Sequence, residues 1–335
     1  YGLLVKSGNI RDLYIPSFAD DYKFQTDTSE EKVSTKVYIP KVYGNLNFII
    51  PKVDFKDDGT NWVVDIPQEN LIGETGWIQI GTRQFFSFSI DQKYEATTSI
   101  PIPFNTFRIV LPRDINSGPI TQRVFFTKID PEPYYTALDS DGNLIAYFKI
   151  PSLNSGDIVI NGYAILDQNN SIDFKNSGDI KDISHDVINN NTSPARFWES
   201  NSQEIKDAAT SIKSGFTNVY DLVSKTYEFV VKRINYSDVK RFGINERKGA
   251  LETLRGGAAV CMEYSDLFIA LSRAEGVPAR AAFGYGFSSL DFSTKKDNNI
   301  NHQWAEVYIP SIKQWISVDT TWGQNGPALI GGDLN

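Results

Sequence analysis

Residues 36–166 alternate apolar and polar side chains in short runs broken by Gly, Pro, Asn and Asp. A run of period two buries its apolar half only as a strand in a sheet. Such runs occupy 36–39, 46–50, 61–66, 77–80, 84–90, 107–111, 122–129, 144–150 and 157–166. Strands this short and this closely spaced predict a β-sandwich over residues 1–166. Asp141-Gly142, between alternating runs at 134–138 and 144–148, is a hairpin turn signal. The surrounding Asp139-Ser140-Asp141-Gly142-Asn143 carries oxygen side chains but reads as that turn, because a calcium loop begun at Asp139 would set Ile150 where its closing Glu belongs.

The pattern then changes. Residues 167–203, with Asn189-Asn190-Asn191-Thr192-Ser193-Pro194, are polar and punctuated and read as a linker or approach segment; His185 within them reads as a solvated loop residue. Residues 207–233 take helical spacing through Ile212, Phe216, Val219, Tyr220, Val223 and Tyr227. A second helix starts at Cys261, the only cysteine, and carries Tyr264, Leu267, Phe268, Leu271 and Ala274 on one face. Gly256-Gly257 precede it as a permissive turn and Gly276-Val277-Pro278 stop it. A thiol at a helix N-terminus faces unpaired N–H groups and the positive end of the dipole, which favour the thiolate and can later hold an oxyanion. Taken alone, a single cysteine is a small buried apolar residue.

Two strand-like segments downstream weigh against that reading. Residues 301–309 set His302, Trp304, Glu306 and Tyr308 on one face and Ala305, Val307 and Ile309 on the other; residues 314–319 set Trp315, Ser317 and Asp319 together. In an antiparallel hairpin with the short connection between them, Asp319 lies opposite His302 or one same-face pair away, and a slip of one residue separates them. Cys as nucleophile, His as proton carrier and Asp as the group that fixes the imidazole form a complementary set for acyl transfer.

The run from Cys261 through Arg273-Ala274-Glu275-Gly276-Val277-Pro278-Ala279-Arg280 to Gly284-Tyr285 resembles the core of the transglutaminase-like superfamily. His302-Gln303-Trp304-Ala305-Glu306-Val307-Tyr308 and Trp315-Ile316-Ser317-Val318-Asp319-Thr320-Thr321 are similar to its His and Asp motifs, in the same order, over residues 215–325. The resemblance implies an α+β fold: a β-sandwich of the kind that precedes such domains in bacterial and archaeal surface proteins, then a papain-like catalytic domain over 204–335. It implies a triad of Cys261, His302 and Asp319 and a protein or peptide amide as substrate. No residue cluster has zinc spacing and no Gly-rich loop follows a strand as at a nucleotide site, so no cofactor or metal is expected. Tyr236 resembles the aromatic that helps bind the oxyanion, and on its own is equally an ordinary core residue. Trp304 is a site wall or a hairpin-packing residue. Glu306 and Arg280 read as structural pairing residues. Many relatives have Gly two residues before the nucleophile, where this chain has Ala259. If that position needs positive φ, alanine costs on the order of 1 kcal/mol; Gly257 can take over the turning role.

Hydrolysis is expected over transfer to lysine, since no feature marks an amine site. A protein-crosslinking transglutaminase is the first alternative, and a glycan-releasing amidase is a further variant of the enzyme reading. A non-catalytic surface module is the reading from another class. With 335 residues, 41% apolar and 13% aromatic, the chain can bury two cores. Its 41 acidic against 33 basic residues give a net charge of −8 without a basic run, which argues against nucleic acid as partner. No stretch has the length and apolarity of a membrane span. The chain begins at Tyr1 without Met, which predicts a processed or trimmed product whose signal or anchor segments, if any, are missing. Richness in Asn, Ser, Thr and Tyr, with sequons at Asn169, Asn190, Asn191 and Asn235, predicts an extracytoplasmic, secreted or cell-surface location.

Overall fold

The computed structural model describes residues 3–7, 10–16, 34–44, 46–51, 53–71, 75–81, 83–95, 104–117, 120–151, 155–168, 174–237, 240, 246–286 and 300–321. The alternating runs are strands throughout. β1 (Leu3–Ser7), β2 (Ile10–Ile15), β3 (Ser34–Pro40), β4 (Leu46–Ile50), β5 (Phe55–Asp57), β6 (Asn61–Pro67) and β7 (Gly76–Ile80) form antiparallel sheets ordered β1-β2-β7-β4 and β3-β6-β5. Ile39, Val64 and Ile66 of one sheet meet Leu46, Ile78 and Ile80 of the other in a first apolar cluster.

β8 (Arg83–Tyr94), β9 (Phe104–Leu111), β10 (Ile115–Ser117), β11 (Ile120–Asp130), β12 (Tyr135–Leu138), β13 (Leu144–Pro151) and β14 (Gly156–Gln168) make sheets ordered β10-β11-β14-β8 and β12-β13-β9. Between them Phe148 and Ile150 pack with Ile158 and Ile160, all at most 4% exposed, in a second cluster. Sheet against sheet across alternating inward residues is the sandwich solution for period-two sequence. The β12–β13 turn is the expected hairpin: Asp139 Oδ1 accepts from the N–H groups of Asp141 (2.9 Å) and Asn143 (2.8 Å), and Gly142 takes φ +82°. Asp139 Oδ2 also accepts from Asn143 Nδ2 at 3.0 Å, so both oxygens of that carboxylate are bonded within the turn.

The C-terminal region combines helices with one antiparallel sheet. α1 (His185–Asn191), α2 (Gln203–Lys213), α3 (Val219–Arg233), α4 (Ala250–Arg255) and α5 (Cys261–Glu275) precede β15 (Ala279–Gly286), β16 (Ile300–Ile309) and β17 (Gln314–Val318), ordered β15-β16-β17. Their shared core includes Leu222, Val223 and Val230 of α3, Tyr264, Leu267, Phe268 and Leu271 of α5, and Ala305 and Val307 of β16. α5 is the central element, with Tyr264 and Phe268 wholly buried.

Two sequence expectations are corrected here. The single helix expected over 207–233 is two, because Ser214 is left-handed (φ 37°), Gly215 follows at φ +88°, and Asn218 starts a new helix by accepting from the N–H groups of Tyr220 (3.0 Å) and Asp221 (3.4 Å). His185 is exposed as expected, but it begins α1 rather than sitting in a loop, because Ser184 opens a helical turn there. The polar approach segment also contributes apolar anchors: Ile183 is 5% exposed in the C-terminal core and Trp198 packs against it. Asn169 lies outside the described residues.

Candidate active site

Cys261 occupies the first turn of α5, where intrahelical donors are unpaired. The turn that places it there comes from Gly256 (φ +118°) and Gly257 (φ +106°), while Ala259 is not among the residues with positive φ. Ala259 is instead extended chain, bridged in parallel to Tyr236, with Ser237 N–H donating to its carbonyl at 2.9 Å. The alanine two residues before Cys261 therefore introduces no left-handed strain, and the glycine pair does the turning.

Glu263 secures the same terminus. Its Oε2 accepts the Val260 N–H at 3.0 Å, half of a capping box, and its Oε1 lies 2.6 Å from Lys240 Nζ in an ion pair whose side chains are 7% and 0% exposed. Unlike the caps at α2 and α3, Val260 has no polar side chain to offer, so the reach-back of Glu263 is the polar cap of α5.

The sheet delivers the other two groups. β16 pairs with β17 with Ala305 opposite Val318 and Ile309 opposite Gln314, which sets Asp319, one residue past the strand, on the His302 face one pair away. This is the expected register. His302 Nε2 and Asp319 Oδ2 are 2.6 Å apart, at 5% and 12% side-chain exposure. Asp319 Oδ1 accepts the Thr321 N–H at 3.0 Å, so the carboxylate is oriented from its own turn. The Cys261 thiol also bears on His302 and favours its protonated form. Burial opposes the imidazolium, but the bonds and negative charges of Asp319 and Cys261 outweigh it and raise the His302 pKa to about 9.

Of the other expected site residues, Trp304 lies beside the imidazole, its ring centroid 6.0 Å from that of His302 at 26°, and donates Nε1 to Ser317 Oγ at 3.2 Å. Tyr236 is brought alongside the segment that leads into Cys261 by its bridge to Ala259. Glu306 and Arg280 are cross-strand partners at 2.8 Å, and Arg280 lies 4.2 Å from the Trp315 ring centroid. Sequence reading passed over a set of buried polar side chains beside Cys261 and His302: Ser265 and Asp266 on α5, and Gln303 between His302 and Trp304. Its sequence signal is the Ser-Asp pair at positions where the helix pattern would tolerate apolar residues. Among the described residues no group of three His, Cys, Asp or Glu side chains is placed to hold a metal ion.

Residues 206–320 match the family model of the transglutaminase-like superfamily. Among solved structures, a candidate cysteine protease from Cytophaga hutchinsonii is similar at 20% identity and a TM-score of 0.47, over 73% of this chain and 82% of that one. The periplasmic domain of TgpA from Pseudomonas aeruginosa is similar at 17% identity and a TM-score of 0.37, over 75% of this chain and 78% of that one. No curated protein matches the chain. Residues 206–320, which hold the helix of Cys261, the strand of His302 and Asp319 just past the next strand, are similar to the transglutaminase-like superfamily.

Proposed function

We propose that this chain is a thiol-dependent acyl-transfer enzyme acting on amide bonds of proteins or peptides, with Cys261, His302 and Asp319 as its catalytic residues and water as acceptor. The observation that carries the reading is one buried imidazole held between a carboxylate at 2.6 Å and the chain's only thiol. An imidazole bonded to both and still protonated near neutral pH is the cationic half of a thiolate–imidazolium pair.

In the proposed reaction the Cys261 thiolate attacks the amide carbon, and the carbonyl electron pair moves to oxygen. The first-turn N–H groups of α5 stabilise that oxyanion, with Tyr236 and Trp304 walling the site. Collapse breaks the C–N bond, and the amine leaves with the proton of His302. Water then attacks the thioester, giving its proton to His302, and departure of the thiolate restores the pair. Asp319 keeps the imidazole in one orientation and stabilises its charge throughout. A lysine amine in place of that water would make a crosslink, and nothing in the described residues marks a site for it. An extracytoplasmic location fits the sequons and the polar, Tyr-rich composition; no helix of the described residues is long and apolar enough to cross a membrane.

The test is the pH dependence of iodoacetamide alkylation, free of background because there is one cysteine. Wild type is expected to label rapidly well below pH 7, and His302→Ala only as an ordinary thiol does. Slow labelling in both proteins, rising only near the ordinary thiol pKa, would sink the activated-nucleophile reading.

A further inference from the structure

Gln303 takes no part in the proposed chemistry, yet it is 1% exposed and ties the nucleophile's helix to the histidine's strand. Its Nε2 donates to Ser265 Oγ at 2.6 Å and to Asp266 Oδ1 at 3.1 Å. Ser265 Oγ in turn lies 2.7 Å from the carbonyl oxygen of Cys261, to which it donates. The path from the nucleophile's own peptide to the residue beside His302 is therefore two hydrogen bonds long.

The anchor at its lower end is fixed. Asp266, wholly buried, also accepts Trp198 Nε1 at 2.8 Å and Arg247 Nε and Nη2 at 2.8 and 2.5 Å, and the Arg247 guanidinium rests 4.2 Å from the Phe197 ring centroid. Neighbouring side chains of a strand point to opposite faces. Pinning Gln303 on the helix face of β16 thus fixes the peptide from which His302 projects on the other face. Stability alone does not account for this amide: among the described residues Gln303 Oε1 is buried without a hydrogen-bond partner, a standing penalty that an apolar side chain of equal volume would remove.

We propose that Gln303 is a positioning residue for the thiolate–imidazolium pair, holding the Cys261 turn of α5 at a fixed distance and rotation from His302 through Ser265 and Asp266. The proposal rests on the thiol-dependent reading of the site. A group held in this way need not reorganise when substrate arrives, and displacement of reacting groups by about 1 Å can lose about 10²-fold in rate.

Gln303→Met keeps the volume and removes both the donor and the orphan acceptor. Its melting temperature is expected to match or exceed that of wild type, while iodoacetamide labelling at pH 6 slows about tenfold or more and its pH profile moves toward that of an ordinary thiol. Ser265→Ala, which cuts the same path from the helix side, is expected to shift the profile likewise, and the double variant to be no slower than the slower single. If wild type shows an activated thiol and either single variant labels like it at every pH, or the two losses multiply, the positioning role is overturned and the thiol reading stands. If wild type itself labels as an ordinary thiol, both are overturned. A fall in melting temperature with an unmoved pH profile in both variants assigns Gln303 to packing and also refutes the proposal.

Discussion

Gly284→Ala probes the wall of the site through a single methyl group. Gly284 lies opposite His302 across β15 and β16, and its φ is not in the left-handed region, so an alanine backbone fits there. What does not fit is the side chain. A Cβ would sit 2.7 Å from Cη2 and 3.0 Å from Cζ3 of Trp304, against about 3.5–4.0 Å for a comfortable carbon contact. The indole must retreat by about 1 Å, which disturbs both its packing on His302 and its Nε1 bond to Ser317. Overpacking of this kind costs about 1–3 kcal/mol, and loss of an aromatic pair adds about 0.5–1.5 kcal/mol. Trp304 is half-buried and can yield toward solvent, so about 2 kcal/mol is the expected total, a fall in melting temperature of about 4–8 °C. The assay is a thermal-melt double-mutant cycle with Trp304→Phe, whose smaller ring lacks the two clashing atoms. Gly284→Ala should be nearly neutral in the Phe background, giving a coupling above about 1 kcal/mol. Effects that add to within about 0.5 kcal/mol would refute the steric account of this glycine.

His302, raised to about 9, should give the reaction an alkaline limb near that pH, because deprotonation removes both the acid for the leaving amine and the partner of the thiolate. Since its folded pKa exceeds the ordinary 6.5, the stability this proton contributes is complete below that value and lost as pH rises through about 9. Asp319→Asn removes the neighbouring charge and leaves burial to act, so the alkaline limb should move to lower pH; an unmoved limb would show that Asp319 does not hold the proton. Glu275, at the end of α5, is raised to about 8, chiefly by burial and against its bonds to Thr226 and the charge of Lys213. Both its oxygens lie 2.9 Å from Thr226 Oγ1, which suits a neutral acid donating with one and accepting with the other, and Gln can do the same. The proton bound by Glu275 stabilises the fold fully below pH 4.5 and is lost through about 8, so Glu275→Gln should melt higher than wild type at pH 8.5 and level with it at pH 4.5; equal melting at both values would argue against a protonated Glu275.

The strands and the His–Asp register were legible because each depends on local alternation: 46–50, 144–150 and the face shared by Trp315, Ser317 and Asp319 are set within a few residues. Alternation does not say which strands share a core, so the division of the β-rich region into two apolar clusters could not be read from it. Nor did the pattern mark β1 and β2, or the break at Ser214-Gly215, where apolar residues resume in a phase that imitates an unbroken helix. The buried charges were the least legible. Glu263 and Asp266 look like solvent positions on a helical wheel, and their partners Lys240 and Arg247 arrive from a separate segment by tertiary packing. A periodic pattern records which residues avoid water, whereas a compensated charge is recorded only by its partner's place in space.

The hairpin that joins His302 to Asp319 has a consequence for the order in which the molecule becomes competent. That pair is closed by a connection of a few residues, and closing a short loop is entropically cheap and fast. The thiol must be brought in by docking α5 against β16, a contact between distant parts of the chain that forms only with the core around Tyr264 and Phe268. The carboxylate–imidazole pair can therefore form before Cys261 is in place, and the thiol reaches it only once α5 packs on β16. On the proposed function, the reactivity of Cys261 would report the docking of α5 on β16, read at one atom.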